Sequence, residues 1–261
     1  MATSTVNGQS ALRLVLLLLV TALVCPMERS HVWAAQHERA DVAIRRLLSA
    51  DESERMAAKL ELLEIGRPAI PPMLSALKSV LDSPKSPYTV SDNDPVAIAP
   101  PLASTDEDNL SGRLEADICQ LLGRLRAVEA VPLLIEMMQS RDSFTGLASM
   151  VTEMQAIAEI GPPAVPLLIE AIEDAPNRAA RIGFGDPQPS EEERIKFIQG
   201  EVAKIRARAA RVLGEIGDKR ALQTLERLLL EPPNEFDFWR PDVPYIEEAI
   251  KQIRKREDRK P

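Results

Sequence analysis

The sequence predicts an all-α fold assembled from repeated helix pairs. Three observations predict it. Apolar residues recur at three- and four-residue spacing, as in Val202, Ile205, Ala209, Val212, Leu213 and Ile216, and again in Leu222, Leu225, Leu228 and Leu229. No stretch alternates apolar and polar residues long enough to make a strand. Four segments read alike, each a helix end, a tight turn and the opening of another helix. A content of 45% hydrophobic and 28% charged residues in 261 suits a folded body.

The N-terminus stands apart from that body. A polar stretch ends in Arg13, and an apolar run of twelve residues follows from Leu14 to Cys25. As a helix the run is about 18 Å long, short of a hydrocarbon core of about 30 Å. A basic residue ahead of a short apolar core reads as a secretory signal over 1–34. Val32-Trp33-Ala34-Ala35 offers small-residue cleavage after Ala34, with Ala22 as the second choice. Export to a periplasmic, envelope or extracellular location is therefore expected. An uncleaved N-terminus, or one lipidated at Cys25, would bring membrane contact. Removing 1–34 moves the net charge from −8 to −9 and leaves one His, His37, and one Cys, Cys119.

A helix is expected over 36–49. Asp51-Glu52-Ser53-Glu54 and Ser190-Glu191-Glu192-Glu193 each place a capping residue three before Glu, the pattern of a capping box. The repeated segments run from Leu62 to Pro71, Leu122 to Leu134, Ala158 to Leu168 and Leu213 to Leu222. Gly suits the left-handed position after a helix, and Pro suits the first turn of the next. The shared Ala lets two helices approach closely. Turn positions Gly66, Arg126, Gly161 and Gly217 are separated by 60, 35 and 56 residues. One repeat is about 35 residues, and the two long intervals carry inserts.

The first insert, 82–109, holds five Pro and a net charge of −5, which predicts an exposed, mobile loop. The second, 174–189, holds Pro176, Gly183, Gly185, Pro187 and Pro189 and is read as flexible too. A long helix follows over 190–216. A C-terminal helix over 242–256 puts Val243, Ile246, Ile250 and Ile253 on one face, and 258–261 is a tail. The two end helices are expected to cap the body.

Glu159-Ile160-Gly161-Pro162-Pro163-Ala164-Val165-Pro166-Leu167-Leu168 resembles the turn of a HEAT repeat, in particular the short bacterial type named after phycobilisome lyases. The resemblance covers roughly 50–231. It implies an α-solenoid of stacked antiparallel helix pairs over 36–257, a right-handed HEAT-like superhelix whose second helices line a concave face. It implies no chemistry, and such folds serve mostly for binding. The expected function is a noncatalytic scaffold that binds a protein partner outside the cytoplasm. The alternatives are an accessory or lyase-like chaperone gripping a cofactor-bearing partner, and an acidic-loop metal or surface-binding protein.

No catalytic residue, cofactor or resident metal is expected. A nucleophile–His–acid triad needs a His, and His37 lies near the mature N-terminus. The di-iron branch of HEAT-like proteins uses paired His-Glu dipeptides, and only His37-Glu38 matches. Asp92-Asn93-Asp94 and Asp106-Glu107-Asp108 suit hard cations, but Val96 and Ala103 occupy ligand positions of an EF-hand loop. Gly183-Phe184-Gly185 has no strand before it and no third Gly. Export, a pI near 5.1 and few aromatics oppose nucleic-acid binding. Cys119, beside Ile118 and Leu122, reads as a packed core thiol.

Three surface features carry partner expectations. Aligned turns put Ser75, Glu136, Glu170 and Arg227 at one offset, and Lys78, Gln139, Glu173 and Leu230 three residues further. Glu136, Glu170, Glu173 and Arg227 are candidate contacts, and the carboxylates favour a cationic or polar protein segment. Phe236, Phe238, Trp239 and Tyr245 cluster near the C-terminus, either as a plug over the last repeat or as a partner hot spot centred on Phe238 and Trp239. Lys251, Arg254, Lys255, Arg256, Arg259 and Lys260 complement a helix C-terminus, or else meet an anionic membrane or an acidic protein.

Overall fold

Each helix pair is made by one kind of turn. A first helix ends, a single 3-10 turn closes on a buried alanine, and a second helix starts at once. The alanines are Ala69, Ala130, Ala164 and Ala221, all 0% exposed. Ala69, Ala130 and Ala164 donate their N–H at 2.9 Å to the carbonyls of Gly66, Ala127 and Gly161. Any larger side chain would push the two helices apart. Pro71, Pro132 and Pro166 follow in the first turn of the second helix, where a missing N–H costs nothing.

The computed structural model describes residues 33–82, 106–140, 147–181, 189–232 and 240–259. The expectations for 1–32, for most of the first insert, for Gly183-Phe184-Gly185 and for Phe236, Phe238 and Trp239 fall outside those residues. Helix α1 runs over 33–46. The first pair is α2 (Glu52–Ile65) and α3 (Ile70–Asp82), and the second is α4 (Asp106–Arg124) and α5 (Val131–Ser140). The third is α6 (Leu147–Ile160) and α7 (Val165–Glu173). After α8 (Ala175–Ala180) the fourth pair is α9 (Glu191–Ile216) and α10 (Leu222–Leu230), and α11 (Val243–Glu257) follows. No strand occurs among the described residues.

First helices stack on first helices, and each second helix also touches the first helix of the next pair. One apolar cluster runs through the stack from Ala40 to Ile253. Ion pairs tie the ends to it. Arg39 and Arg46 on α1 both reach Glu61 of α2, at 3.2 and 3.0 Å. Lys59 of α2 pairs with Asp117 of α4. Cys119 is fully buried, and burial pushes its thiol well above the ordinary range, with the nearby Glu153 carboxylate adding to the shift.

The helix ends show where the side chains act. Ser190 and Glu193 form the reciprocal capping box of α9. Asp51 caps α2 differently: its carboxylate accepts from the Ser53 N–H at 2.8 Å, while Glu54 accepts from the Ser49 hydroxyl at 2.6 Å. The second insert is not loop throughout. Ala175–Ala180 is helix α8, because Ala175 and Ala179 pack fully buried against Ile205 of α9. The first insert ends earlier than expected, since α4 begins at Asp106; acidic residues favour a helix start. The first helix already includes residue 33, ahead of the expected start at 36, so it overlaps the expected cleavage site.

Three of the four turns use glycine at positive φ: Gly66 at 72°, Gly161 at 82° and Gly217 at 72°. The fourth uses Arg126 at φ 50°. There the Ala127 N–H reaches the Leu122 carbonyl at 3.0 Å and the Arg126 N–H reaches Gly123 at 2.9 Å, the two bonds of a Schellman motif. A side chain in the left-handed region is strained, and Gly relieves that strain against a larger entropy loss on folding. Arg126→Gly is therefore expected to raise the unfolding free energy by about 0.5–1 kcal/mol. Urea unfolding checks it, and a loss of stability would show that the arginine side chain contributes more than the backbone strain removes.

Candidate functional site

The second helices keep one register, and it exposes the expected positions. Their buried sides carry Leu77, Met138 and Ile172 into the core, and α10 buries Leu228, one position earlier in the register. On the opposite side Ser75 and Lys78 of α3, Glu136 of α5, Glu170 and Glu173 of α7, and Arg227 and Leu230 of α10 are exposed, and Gln139 is half-buried. Four helix pairs thus present one exposed stripe, polar except at Leu230.

The stripe is partly cross-linked. Arg227 Nη2 meets Glu173 Oε1 at 2.8 Å, joining α10 to α7. Both side chains are at least half exposed, so the pair contributes about 0–1 kcal/mol and opens readily. Glu173 and Arg227 therefore satisfy each other instead of standing as separate contacts. Gln139 Oε1 accepts from Arg178 Nη1 of α8 at 3.1 Å. Arg178 Nε also pairs with Asp174 Oδ2 at 3.2 Å. Asp174 accepts from Asn177 at 2.8 Å; that bond first, then the charges of Arg178 and Arg181, hold its carboxyl below the usual carboxylate range. Glu136 and Glu170 make no ion pair among the described residues.

Arg178 and Asp174 escaped the sequence reading because the Pro and Gly around them suggested a loop. The i,i+4 spacing of Asp174 with Arg178 and of Ala175 with Ala179 was the signal for a helix there. Of the candidate aromatics, Phe238 and Trp239 lie outside the described residues, and Tyr245 opens α11 at 49% exposed.

Elsewhere the geometry is structural. His37 is half-buried on α1 with Trp33 edge-on, ring centroids 5.2 Å apart. Arg240 donates to the carbonyls of Leu228 and Glu231, both at 2.9 Å, and pairs with buried Asp242 at 2.9 Å. This satisfies the open end of α10 and sets the start of α11. Among the described residues no three His, Cys, Asp or Glu side chains gather as a metal cluster, and no helix is long and apolar enough to cross a membrane.

Residues 205–231 match the family model for the PBS lyase HEAT-like repeat. The match takes in the last turns of α9, the Gly217 turn and all of α10, one complete helix–turn–helix unit. No curated protein gives a significant match. The matched unit recurs in the same register at Gly66, Arg126 and Gly161, and the chain is thus a HEAT-repeat protein with an all-α, HEAT-like solenoid fold.

Proposed function

We propose that the chain is a noncatalytic protein-binding scaffold that works outside the cytoplasm and holds its partner on the exposed side of the second helices. The observation that carries this reading is the repeated stripe, in which Glu136 and Glu170 stand exposed beside the labile Glu173–Arg227 pair. Repeated carboxylates on a rigid stack favour a cationic segment lying across several helices. The apolar run behind Arg13 supports export.

Affinity capture from envelope and secreted fractions, with mass spectrometry, tests the scaffold. A captured partner is expected to bind Glu136→Lys/Glu170→Lys at least about tenfold more weakly, most of all at low salt. Unchanged affinity sinks the reading. N-terminal sequencing of the same material tests export, and a mature chain lacking the apolar run is expected. Cleavage after Ala34 removes Trp33 from its contact with His37, whereas cleavage after Ala22 keeps it.

A further inference from the structure

Helix α11 occupies the first-helix position of a fifth pair. It lies along α9 as α6 lies along α4, and it touches α10 as α6 touches α5. No second helix of that pair follows among the described residues. The place beside α10 and α11 is an open groove of about 520 Å³.

Its apolar floor is Leu229 and Ile250. The register shows how unusual Leu229 is. Its counterparts in the three earlier second helices, Leu77, Met138 and Ile172, are each 0% exposed under the following pair. Leu229 is only half-buried. At the next position the earlier helices carry Lys78, Gln139 and Glu173, whereas α10 carries Leu230 at 83% exposed. The last repeat thus adds apolar surface where its predecessors are polar.

The rim is cationic on an acidic protein. Lys251, Arg254, Lys255 and Arg259 line the groove against Glu247 and Asp258, while the chain as a whole carries −8. Arg254 is engaged by Glu226 at 2.7 Å and Lys251 by Glu248 at 3.4 Å. Lys255 and Arg259 make no ion pair among the described residues. The lining recurs at three- and four-residue steps from Glu247 to Asp258; its part on α11, from Glu247 to Lys255, covers about 12 Å, room for about two turns of a docked helix.

We infer that this groove docks an acidic amphipathic helix of another protein, lying beside α10 and α11. Its apolar ridge covers Leu229 and Leu230, and its carboxylates meet Lys255 and Arg259. The basic residues all lie on or just after α11, along one side of the apolar floor, which suits a helix with one acidic and one apolar face. Leu230 adjoins the stripe, but none of Glu136, Glu170, Glu173 and Arg227 lines the groove, so the charge variants let the two readings fail independently.

The probe is a labelled fourteen-residue helical peptide with a leucine ridge and glutamate flanks, followed by fluorescence anisotropy on the full chain. The controls are the same ridge with lysine flanks, phosphatidylglycerol vesicles and size-exclusion chromatography of the protein alone. The glutamate peptide is expected to bind at least about tenfold more tightly than the lysine peptide. Lys255→Glu/Arg259→Glu is expected to weaken it about tenfold, with circular dichroism and Tm unchanged. Leu230→Glu weakens it as well, and Glu136→Lys/Glu170→Lys leaves it unchanged. Four results overturn the inference: no binding of either peptide, equal binding of both, vesicle binding in place of peptide binding, or self-association lost in the Lys255→Glu/Arg259→Glu variant.

Discussion

Leu122→Ala is expected to lower the unfolding free energy by about 2–5 kcal/mol. Leu122 stands four residues before the turn position of its repeat, and Leu62, Ile157 and Leu213 stand at the same offset. All four side chains are 0% exposed. Their carbonyls accept the N–H groups that close the first helices, from Gly66, Ala127, Gly161 and Gly217. The side chain is thus anchored at the point where the helix stops, and its surroundings have little freedom to collapse into the space left by truncation. In a solenoid a defect in a central repeat also weakens the coupling on both sides. Urea unfolding followed at 222 nm checks this, with a lower midpoint and an unchanged slope. A loss below about 1 kcal/mol would show that the site relaxes freely.

Gly214→Val is expected to cost about 2–3 kcal/mol and to loosen α11 first. A Cβ built on Gly214 would lie 2.9 Å from Ala249 Cα and 3.1 Å from Ala249 Cβ. The first of these is backbone, so the contact is relieved only by moving α11 away from α9. Gly123 makes the equivalent approach to α6, with Ala156 Cα at 3.0 Å. Both glycines stand three residues before their turn positions, and both lie in stacks where the first helices run closely side by side. A glycine inside a helix costs about 1 kcal/mol relative to alanine, and the close packing offsets it. Hydrogen exchange is the direct measurement, since α11 amides should lose protection before those of α4. Uniform loss across the chain would show that α11 is not a separate unit.

Much of the repeat was legible because its signals are local. Gly, Pro and a small Ala act through φ, a missing N–H and side-chain volume, all within a few residues. The Gly161 turn could be read directly, and Arg126 could be aligned with the glycines by spacing alone. Ser190 and Glu193 announced the long helix in the same way. Long-range packing produced the differences. Ala175–Ala180 is helical because Ile205, thirty residues from Ala175, covers it. Glu173 and Arg227, separated by 54 positions, become partners because α7 and α10 are brought side by side.

The amino-acid sequence by itself determined the all-α class, the turn chemistry and the period of the stack, since each depends on backbone geometry within one repeat. It also determined the polar register of the second helices, because helical spacing alone decides which residues share a side. Tertiary structure decided the rest. It set which polar residues neutralise one another, which glycines lie against a neighbouring backbone, and which leucines of α10 stay uncovered. Those depend on what the next helix pair buries. At α11 that pair has a first helix and no described second one, and there the cationic groove opens.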